Sequence, residues 1–208
     1  MNTLKKLYRK YLYGQILTWI LNALPSLGIN ISLFYLLLEG DFGTEIPMCP
    51  DDFKGFTFGI LDEEEIGIIA NIPRRGIDSG VQIERHKKGM PCFGVKSNGE
   101  IVAFNWANLK ECHSKWHRFS LKEDEAYLFD MYTLKSHRGK NIAPFLRHRT
   151  YRALKGMGKT KFYSYSSFLN KSAVRFKKKL NARILKLYLF VELFGMFERS
   201  WVLKNYKK

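Results

Sequence analysis

The segment Ala126–Ala143, with the sequence AYLFDMYTLKSHRGKNIA, decides the fold that this chain is predicted to adopt. Its first half, Ala126–Leu134, is rich in aromatic and aliphatic residues and predicts a central β-strand. Its second half, Ser136–Ala143, is a basic turn that leads into a helix beginning near Ile142. The first N–H groups of a helix lack internal partners and lie at the positive end of the helix dipole, so this turn is predicted to bind a phosphate group.

The distribution of charge points to the same kind of ligand. The formal net charge is +16, but Met1–Asp130 has 15 Lys and Arg against 17 Asp and Glu, whereas Met131–Lys208 has 20 Lys and Arg against two acidic residues. No acidic residue lies between Met131 and Val191. This asymmetry predicts a binding face for a polyanion, and the alternative is a solvated basic face.

The remaining segments predict an α+β domain built around a mixed sheet. Asn98-Gly99 between two apolar runs is a strong hairpin signal. The predicted strands are Asn30–Leu38, Cys92–Lys96, Ile101–Trp106, Ala126–Leu134, Lys161–Ser166, Ala182–Phe194 and Arg199–Asn205. The predicted helices are one that follows Asp62, then Val81–Lys88, Ala143–Lys155 and Asn170–Leu180. The predicted connections are Glu39–Phe53 and Lys110–Asp124.

The N-terminal residues predict a separate leader. The stretch Tyr11–Leu38 is uncharged and follows four basic residues, but Pro25 and Gly28 interrupt it, so two short elements fit better than one membrane span. We therefore divide the chain into a leader with an amphipathic helix at residues 1–28 and a domain at residues 29–208. A basic, aromatic-rich helix suits the surface of an anionic membrane and equally suits packing on the parent domain, so both placements stay open for residues 1–24.

The three cysteines predict neither a disulfide framework nor a metal site. Cys49, Cys92 and Cys112 are far apart and form no CxxC pair, which favours a reducing cytoplasm. His113 and His117 lie near Cys112 but lack the second cluster that completes a tetrahedral zinc site. We therefore expect a cytoplasmic protein without a bound metal, either free or peripheral at the inner face of the membrane.

Two motifs resemble those of the GCN5-related N-acetyltransferases (GNATs). Arg138–Ala143 resembles the R/Q-x-x-G-x-G/A motif of that family, and Asn170–Ala173 with Lys179–Asn181 resembles its N-x-x-S/A…K-L-G segment. The order of a hairpin, central strand, phosphate turn, helix, strand, helix and two closing strands also matches the family from about Phe56 to Asn205. The resemblance implies a GNAT-like fold, with a mixed, mostly antiparallel sheet flanked by helices.

The resemblance also implies a site for acetyl-CoA, or another acyl-CoA, as co-substrate. Pantetheine would enter a V-shaped opening between the strands Ala126–Leu134 and Lys161–Ser166, and the pyrophosphate would lie on the basic turn. Asn141 stands where the family prefers Gly, and Lys177 stands where many members have a general-acid Tyr. The residues that would bind the cofactor are Thr133, Leu134, Arg138, Gly139, Lys140, Asn141, Ile142, Ala143, Asn170, Lys171 and Arg175.

Direct acyl transfer needs a proton acceptor for the attacking amine and a donor for the thioester carbonyl. Asp130 is the one acidic residue in the middle of the central strand, so we predict that it is the general base. A backbone N–H near Thr133 would donate to the carbonyl oxygen. Tyr132 has the same side-chain parity as Asp130, and Tyr165 lies on the facing strand. Each of these tyrosines is predicted to be either catalytic or packed in the core.

The leading functional hypothesis is an acyl-CoA-dependent N-acetyltransferase that acts on a primary amine of a small or carrier-linked substrate. Similarity to acetyltransferases of bacterial surface-polysaccharide synthesis makes an amino sugar the preferred acceptor, entering from the near-neutral N-terminal half. One alternative is a basic nucleic-acid-binding module, in which the aromatic residues between Phe162 and Phe176 stack on bases. Another is a relative that binds coenzyme A without catalysis. The sequence predicts no particular oligomeric state.

Overall fold

The computed structural model describes residues 21, 23–40, 55–73, 76–114 and 117–206. The predicted leader helix and most of the predicted connection Glu39–Phe53 lie outside these residues. Internal contacts divide the chain into two compact units. The first unit comprises residues 1–36, 165–174 and 184–208, and the second comprises residues 37–164 and 175–183.

Strands and helices alternate along the described residues. The strands are β1 (Ile29–Glu39), β2 (Phe56–Ile60), β3 (Cys92–Ser97), β4 (Glu100–Asn108), β5 (Glu111–His113), β6 (Arg118–Ser120), β7 (Glu125–Thr133), β8 (Lys161–Ser167), β9 (Arg183–Leu193) and β10 (Phe197–Asn205). The α-helices that lie wholly within the described residues are α1 (Glu63–Ala70), α2 (Ser79–Lys87), α3 (Ile142–Gly156) and α4 (Lys171–Lys179). Two 3-10 turns span Leu24–Leu27 and Lys135–His137.

A mixed sheet organises the second unit. Its strands follow the order β2-β3-β4-β7-β8. The pairs β2–β3, β3–β4 and β4–β7 are antiparallel, whereas β7 and β8 are parallel and are connected through α3. Parallel neighbours need such a crossover connection. The predicted fold class, a mixed and mostly antiparallel sheet flanked by helices, is confirmed.

Two apolar clusters cover the two faces of this sheet, because successive residues of a strand point to opposite sides. On one face, α3 buries side chains such as Leu146 and Leu154 against Leu128 of β7. On the other face, Ile66 and Ile69 of α1 pack on β4 in a cluster that includes Phe104 and Trp106. Asp62 caps α1 in a capping box, and three glutamates follow it in the first turn of the helix.

The first unit contains β9, β10 and most of β1. The strand order is β10-β9-β1, and β9 and β10 form an antiparallel hairpin. Phe34 of β1 stacks on Tyr188 of β9, with their ring centroids 5.1 Å apart. The Leu33 carbonyl accepts the N–H of Phe168 at 2.8 Å. The N-terminal strand thus lies beside β9, a strand from the end of the chain, and its apolar sequence alone does not specify this position.

Most predicted elements are confirmed, with ends that differ by a few residues at most. The prediction that Lys110–Asp124 is only a connection is wrong, because it contains the two-stranded hairpin β5–β6. Asn108 organises the entry to this hairpin, since its Oδ1 accepts the N–H groups of Lys110 and Glu111 at 2.9 and 3.1 Å. The short strand β2 was also not predicted. None of the helices in the described part of the chain is long and apolar enough to span a membrane.

Candidate functional site

The turn between β7 and α3 has the backbone geometry of an anion site. Gly139 has φ 80° and Asn141 has φ 56°, and both values lie in the left-handed region. Asn141 is the N-cap of α3, which begins at Ile142 as predicted. Asn tolerates this region better than most residues, so Asn141 can take the place of the Gly that the family prefers.

Successive N–H groups in this turn have no acceptor among the described residues. They belong to Gly139, Lys140, Asn141, Ile142 and Ala143. Pro144 has no N–H, and Phe145 makes the first helical bond, to the Asn141 carbonyl at 3.2 Å. A Cβ added at Gly139 meets no atom within 4 Å, so the backbone is open to a ligand. A row of donors at a helix N-terminus, beside exposed basic side chains, suits a pyrophosphate.

Arg138 lies over the end of β7. Its Nε donates to the Thr133 carbonyl at 3.2 Å, and its guanidinium lies 5.6 Å from the centroid of the Tyr132 ring. The Leu134 N–H donates to Val102 at 2.9 Å, and so it is not free to polarise a thioester carbonyl. The contacts of Thr133 and Leu134 with pantetheine stay predictions. At Leu134, the backbone group left for such a contact is the carbonyl.

The parallel pairing of β7 with β8 is short. Its register contains three residue pairs, from Glu125–Lys161 to Tyr127–Tyr163, although β7 continues to Thr133. The Tyr163 hydroxyl donates to Glu125 at 3.0 Å, which fastens the paired end of the two strands. An early end to the pairing is what the expected V-shaped opening beside the second half of β7 requires.

A β-bulge interrupts β7 at the predicted general base. Trp106 pairs with Phe129 and Phe104 pairs with Tyr132, so Asp130 and Met131 together oppose one residue of β4. Asp130 adopts φ 47°, in the left-handed region. A bulge re-aims side chains, and here Phe129 and Tyr132 both pack on the α1 face despite their odd spacing.

The Asp130 carboxylate is held by α2. It forms an ion pair with Arg85 and accepts a hydrogen bond from Gln82 at 3.3 Å. The Arg85 guanidinium also lies over the Phe129 ring, 4.9 Å from its centroid. This pairing fixes the bulge against α2. Arg85 and Gln82 were not predicted, because contacts between α2 and β7 leave no mark in a local pattern.

The two predicted catalytic tyrosines have different surroundings. Tyr132 is half-buried in the second unit and packs on Phe104, with centroids 6.0 Å apart. Tyr165 is half-buried in the first unit and meets Phe34 edge-on at 5.3 Å. Both tyrosines therefore make packing contacts, and the catalytic role of each stays a prediction.

Helix α4 carries the other predicted cofactor residues. The Asn170 Oδ1 accepts the Ala173 N–H at 3.0 Å and the Ser172 hydroxyl at 2.8 Å, so this side chain caps the helix. Lys171 and Arg175 follow on α4 and are exposed. Their exposure leaves both cations available to a phosphate.

Lys177, predicted to stand in place of the family's tyrosine, belongs to a buried ionic cluster in the second unit. Its Nζ donates to the Ser164 hydroxyl at 2.7 Å and lies 3.5 Å from Glu39 Oε1. Arg147 Nε lies 3.4 Å from Glu39 Oε2, and the Tyr151 hydroxyl donates to the same oxygen at 2.6 Å. Glu39 has no exposed surface, and Lys177 is 5% exposed. Two cations therefore share one buried carboxylate.

This cluster shifts the pKa values of its members. Burial lowers the pKa of Lys177 to about 8, with Glu39 opposing the shift and Arg147 adding to it. Burial alone would raise the pKa of Glu39, but Arg147, Lys177 and two hydrogen bonds outweigh it and hold that pKa below its usual range. The low pKa of Lys177 follows from its burial, and no charge pattern in the sequence predicted this.

The cysteines and histidines form no metal centre in the described residues. No group of three or more His, Cys, Asp or Glu side chains there is arranged to hold a metal ion. Cys92 and Cys112 are buried and form no disulfide with each other. Cys92 begins β3 and packs in the cluster with Trp106, so it serves the core.

Comparison with known proteins gives a consistent assignment. A family model described as "Acetyltransferase (GNAT) family" matches residues 60–181. That range contains the α1 and α2 helices, the central strand, the phosphate turn and α4. A search of curated proteins finds no match.

Several solved structures share the fold. A GNAT acetyltransferase from Novosphingobium aromaticivorans is 17% identical with a TM-score of 0.55, and the alignment covers 80% of this chain and 66% of that one. The glucosamine N-acetyltransferase region of a fungal GH3 β-N-acetylglucosaminidase is 14% identical with a TM-score of 0.59, covering 80% of this chain and 21% of that one. The ribosomal-protein-S18-alanine N-acetyltransferase of Escherichia coli is 13% identical with a TM-score of 0.50, covering 68% and 96%. The chain thus spans less than two thirds of the length of the Novosphingobium protein and of the fungal protein.

Proposed function

The chain belongs to the GNAT acetyltransferase family, and from that membership we propose that it transfers an acyl group from acetyl-CoA to a primary amine of a small or carrier-linked molecule. The observation that carries the proposal is the turn Gly139–Ala143, whose free N–H groups precede α3 beside Arg138. Acetyl-CoA needs such a site for its pyrophosphate. Family membership favours this function over a nucleic-acid-binding module.

The reaction assigns roles to residues of the second unit. The amine attacks the thioester carbon, its proton passes to Asp130 directly or through water, and the thiolate of coenzyme A leaves. Lys177, predicted to stand in place of the family's general-acid tyrosine, is buried with its Nζ engaged by Ser164 and Glu39, so water is the proton donor that we propose. The leaving thiolate needs such a donor.

An amino sugar is the acceptor that we favour. The fungal neighbour is named a glucosamine N-acetyltransferase, and the E. coli neighbour is named for an alanine of a ribosomal protein. Proteins with this fold thus act on acceptors of two classes. At identities of 14% and 13%, neither acceptor can be assigned to this chain by similarity. The choice of acceptor rests on this chain's own residues.

Release of free thiol from acetyl-CoA tests the proposal. Purified full chain is incubated with acetyl-CoA and one amine at a time from a panel of hexosamines, amino acids, polyamines and N-terminal peptides. We expect amine-dependent thiol release with at least one member and an acetylated product by mass spectrometry. Binding of acetyl-CoA without thiol release for any amine would instead favour a coenzyme A-binding protein without catalysis. The ion pair between Asp130 and Arg85 is the observation that supports this alternative.

A further inference from the structure

One end of the first unit exposes a group of large apolar side chains. They belong to two neighbouring turns, the 3-10 turn Leu24–Leu27 and the turn that joins β9 to β10. We call this group the apolar tip. Its members and their exposed fractions are Leu27 at 65%, Phe194 at 64%, Met196 at 87% and Phe197 at 45%. Apolar side chains gathered at one exposed place, unlike single scattered ones, mark a surface that contacts a partner.

The backbone at Phe194 is one that an aromatic residue rarely adopts. The Met196 N–H donates to the Leu193 carbonyl at 3.1 Å, and Phe194 and Gly195 have φ values of 52° and 66°. Positive φ at both central residues is characteristic of a type I′ turn, for which Asn-Gly is a preferred pair. A bulky residue at the first of these positions is strained. Because the Phe194 side chain is also exposed, neither turn formation nor burial in a core favours Phe at this position.

Contacts with the 3-10 turn hold the apolar tip in place. The Phe194 N–H donates to the Gly28 carbonyl at 2.6 Å. A Cβ added at Gly28 would lie 2.5 Å from Cδ1 of the Phe194 ring, so this ring lies directly against the Gly28 backbone. The Gly28 N–H in turn donates to the Pro25 carbonyl at 3.0 Å. The two turns therefore brace each other and display Leu27 and Phe194 side by side.

The basic and acidic residues at this end of β10 lie on opposite faces of the hairpin. Phe197, Arg199 and Trp201 alternate along β10 and therefore share one face, on which all three are exposed. The Arg199 guanidinium lies 5.9 Å from the centroid of the Trp201 ring. Glu198 lies on the other face, opposite Glu192 of β9. The face that bears Phe197 thus carries a cation and no acidic side chain from the described strands β9 and β10.

The first unit as a whole is basic. Its three segments contain four, one and five Lys and Arg residues in order along the chain, against two acidic residues, Glu192 and Glu198. The four cations of the first segment precede the turn Leu24–Leu27 in the sequence. Such an excess of positive charge attracts an anionic surface.

The size of the apolar tip favours a lipid surface over a protein partner. A half-exposed aromatic side chain offers on the order of 100 Å². The four members therefore fall short of the roughly 800 Å² per partner that a stable protein–protein interface buries. Apolar side chains that insert into a bilayer interface reach about 5–10 Å deep and need no matching partner surface. Strand residues rise about 3.4 Å each, so Arg199 lies about 7 Å behind Phe197, a spacing that suits contact with lipid phosphates.

We propose that the apolar tip inserts into the interface of an anionic lipid bilayer, with Phe194 and Met196 at the acyl boundary and Arg199 on a lipid phosphate. This inference goes beyond acyl transfer and does not depend on it, because its residues belong to the first unit and the phosphate turn belongs to the second. It gives a reason for a Phe at position 194, since an aromatic ring on a protruding turn is stabilised at a membrane interface and Asn is not. Contact with a membrane brings the chain to acceptors attached to a lipid carrier.

Substitutions by Asn provide a matched test. Phe194→Asn and Met196→Asn remove side chains of the apolar tip, and the first also replaces a strained residue with one that tolerates the left-handed region. Ile68→Asn and Met157→Asn are controls in the second unit, where these side chains are 58% and 44% exposed. The purified full chain is floated with vesicles of equal parts phosphatidylglycerol and phosphatidylcholine, and with vesicles of phosphatidylcholine alone. Urea titration checks that each variant folds.

We expect the natural chain and both controls to float with the anionic vesicles, and Phe194→Asn and Met196→Asn to bind more weakly by about tenfold or more. Phe194→Asn should unfold at the same urea concentration as the natural chain or at a higher one, which separates lost binding from lost folding. Arg199→Gln should weaken binding to the anionic vesicles by about fivefold and leave binding to phosphatidylcholine unchanged.

Two flotation results would overturn the proposal. The natural chain could fail to float with anionic vesicles, or the Phe194→Asn and Met196→Asn variants could float like the controls, which would assign the contact to another part of the chain. Sedimentation velocity without vesicles gives a third: if Phe194→Asn dissociates a dimer of the natural chain and vesicle binding is unchanged, the apolar tip contacts a second copy instead. None of these measurements uses thiol release, so a chain that floats but acetylates no amine keeps the membrane contact and loses the transferase.

Discussion

Gly139 tests the phosphate turn at the scale of one residue. Its φ of 80° and the open space around it mean that Gly139→Ala introduces backbone strain and a methyl group at the proposed pyrophosphate site. Gly158, beyond the other end of α3, has φ 79° and equally open surroundings. Both substitutions should lower the free energy of unfolding by about 1 kcal/mol. Only Gly139→Ala should also weaken acetyl-CoA binding in calorimetry; equal binding by both variants would remove Gly139 from the site.

Asp130 is the second residue with a decisive substitution. Asp130→Asn keeps the shape of the side chain but removes its capacity to accept a proton, so turnover should fall by about 100-fold or more. Binding of acetyl-CoA should change little, because the phosphate turn is untouched. Asp124→Asn, which breaks an exposed ion pair with Lys161 at the start of β8, is the control and should keep full turnover. If Asp130→Asn unfolds more easily but turns over normally, Asp130 only fastens the bulge to α2.

The sequence predicted the position of the turn before α3 because its signals are local. A strand, a basic glycine turn and a helix start follow one another, so Gly139 and Ile142 were placed correctly. The partners of Asp130 were beyond prediction for the opposite reason. Arg85 lies 45 positions away, and the bulge that brings the two together depends on the register with β4.

Glu39 shows how one strand end organises an element pair. At the end of β1 it faces Arg147 of α3 and Lys177 of α4 without any exposed surface. Glu39→Gln leaves two buried cations without their counter-charge, and unfolding free energy should drop by about 3–5 kcal/mol in urea titrations. Glu84→Gln breaks the exposed pair with Lys88 and should leave stability unchanged. Equal small effects would mean that the buried cluster is hydrated.

The same cluster predicts a pH dependence. The folded pKa of Lys177 is about 8 and its ordinary value is 10.5, so the unfolded chain binds more protons between these values. Stability from this group is therefore reduced below pH 8 and recovers as pH rises toward 10. From pH 7 to pH 10, the unfolding free energy of the natural chain should rise by about 2 kcal/mol more than that of Lys177→Met. A flat difference would contradict the buried charge.

Element boundaries followed from local patterns, but element positions did not. The apolar run Asn30–Leu38 predicted β1, yet nothing in it specifies neighbours drawn from the end of the chain. The hairpin β5–β6 was missed because each strand has three residues, too few for a periodic signal. Cys112 has no exposed surface and is the one apolar residue of β5, so it alone in this strand indicates a buried side.

Across the whole molecule, charge is unevenly distributed along the chain. The stretch from Met131 to Val191 contains no acidic residue, and it includes the turn Gly139–Ala143 and the helix α4. A binding face for a polyanionic cofactor requires such an asymmetry.

Calorimetric titration with acetyl-CoA and with acetyl-pantetheine tests the central claim most directly. The two ligands share the thioester arm, but only acetyl-CoA carries the pyrophosphate and the 3′-phosphate. If the turn Gly139–Ala143 and the cations beside it bind the pyrophosphate, the Kd for acetyl-CoA should be lower by about 100-fold or more. Equal affinity for the two ligands, or binding of neither, would contradict the account.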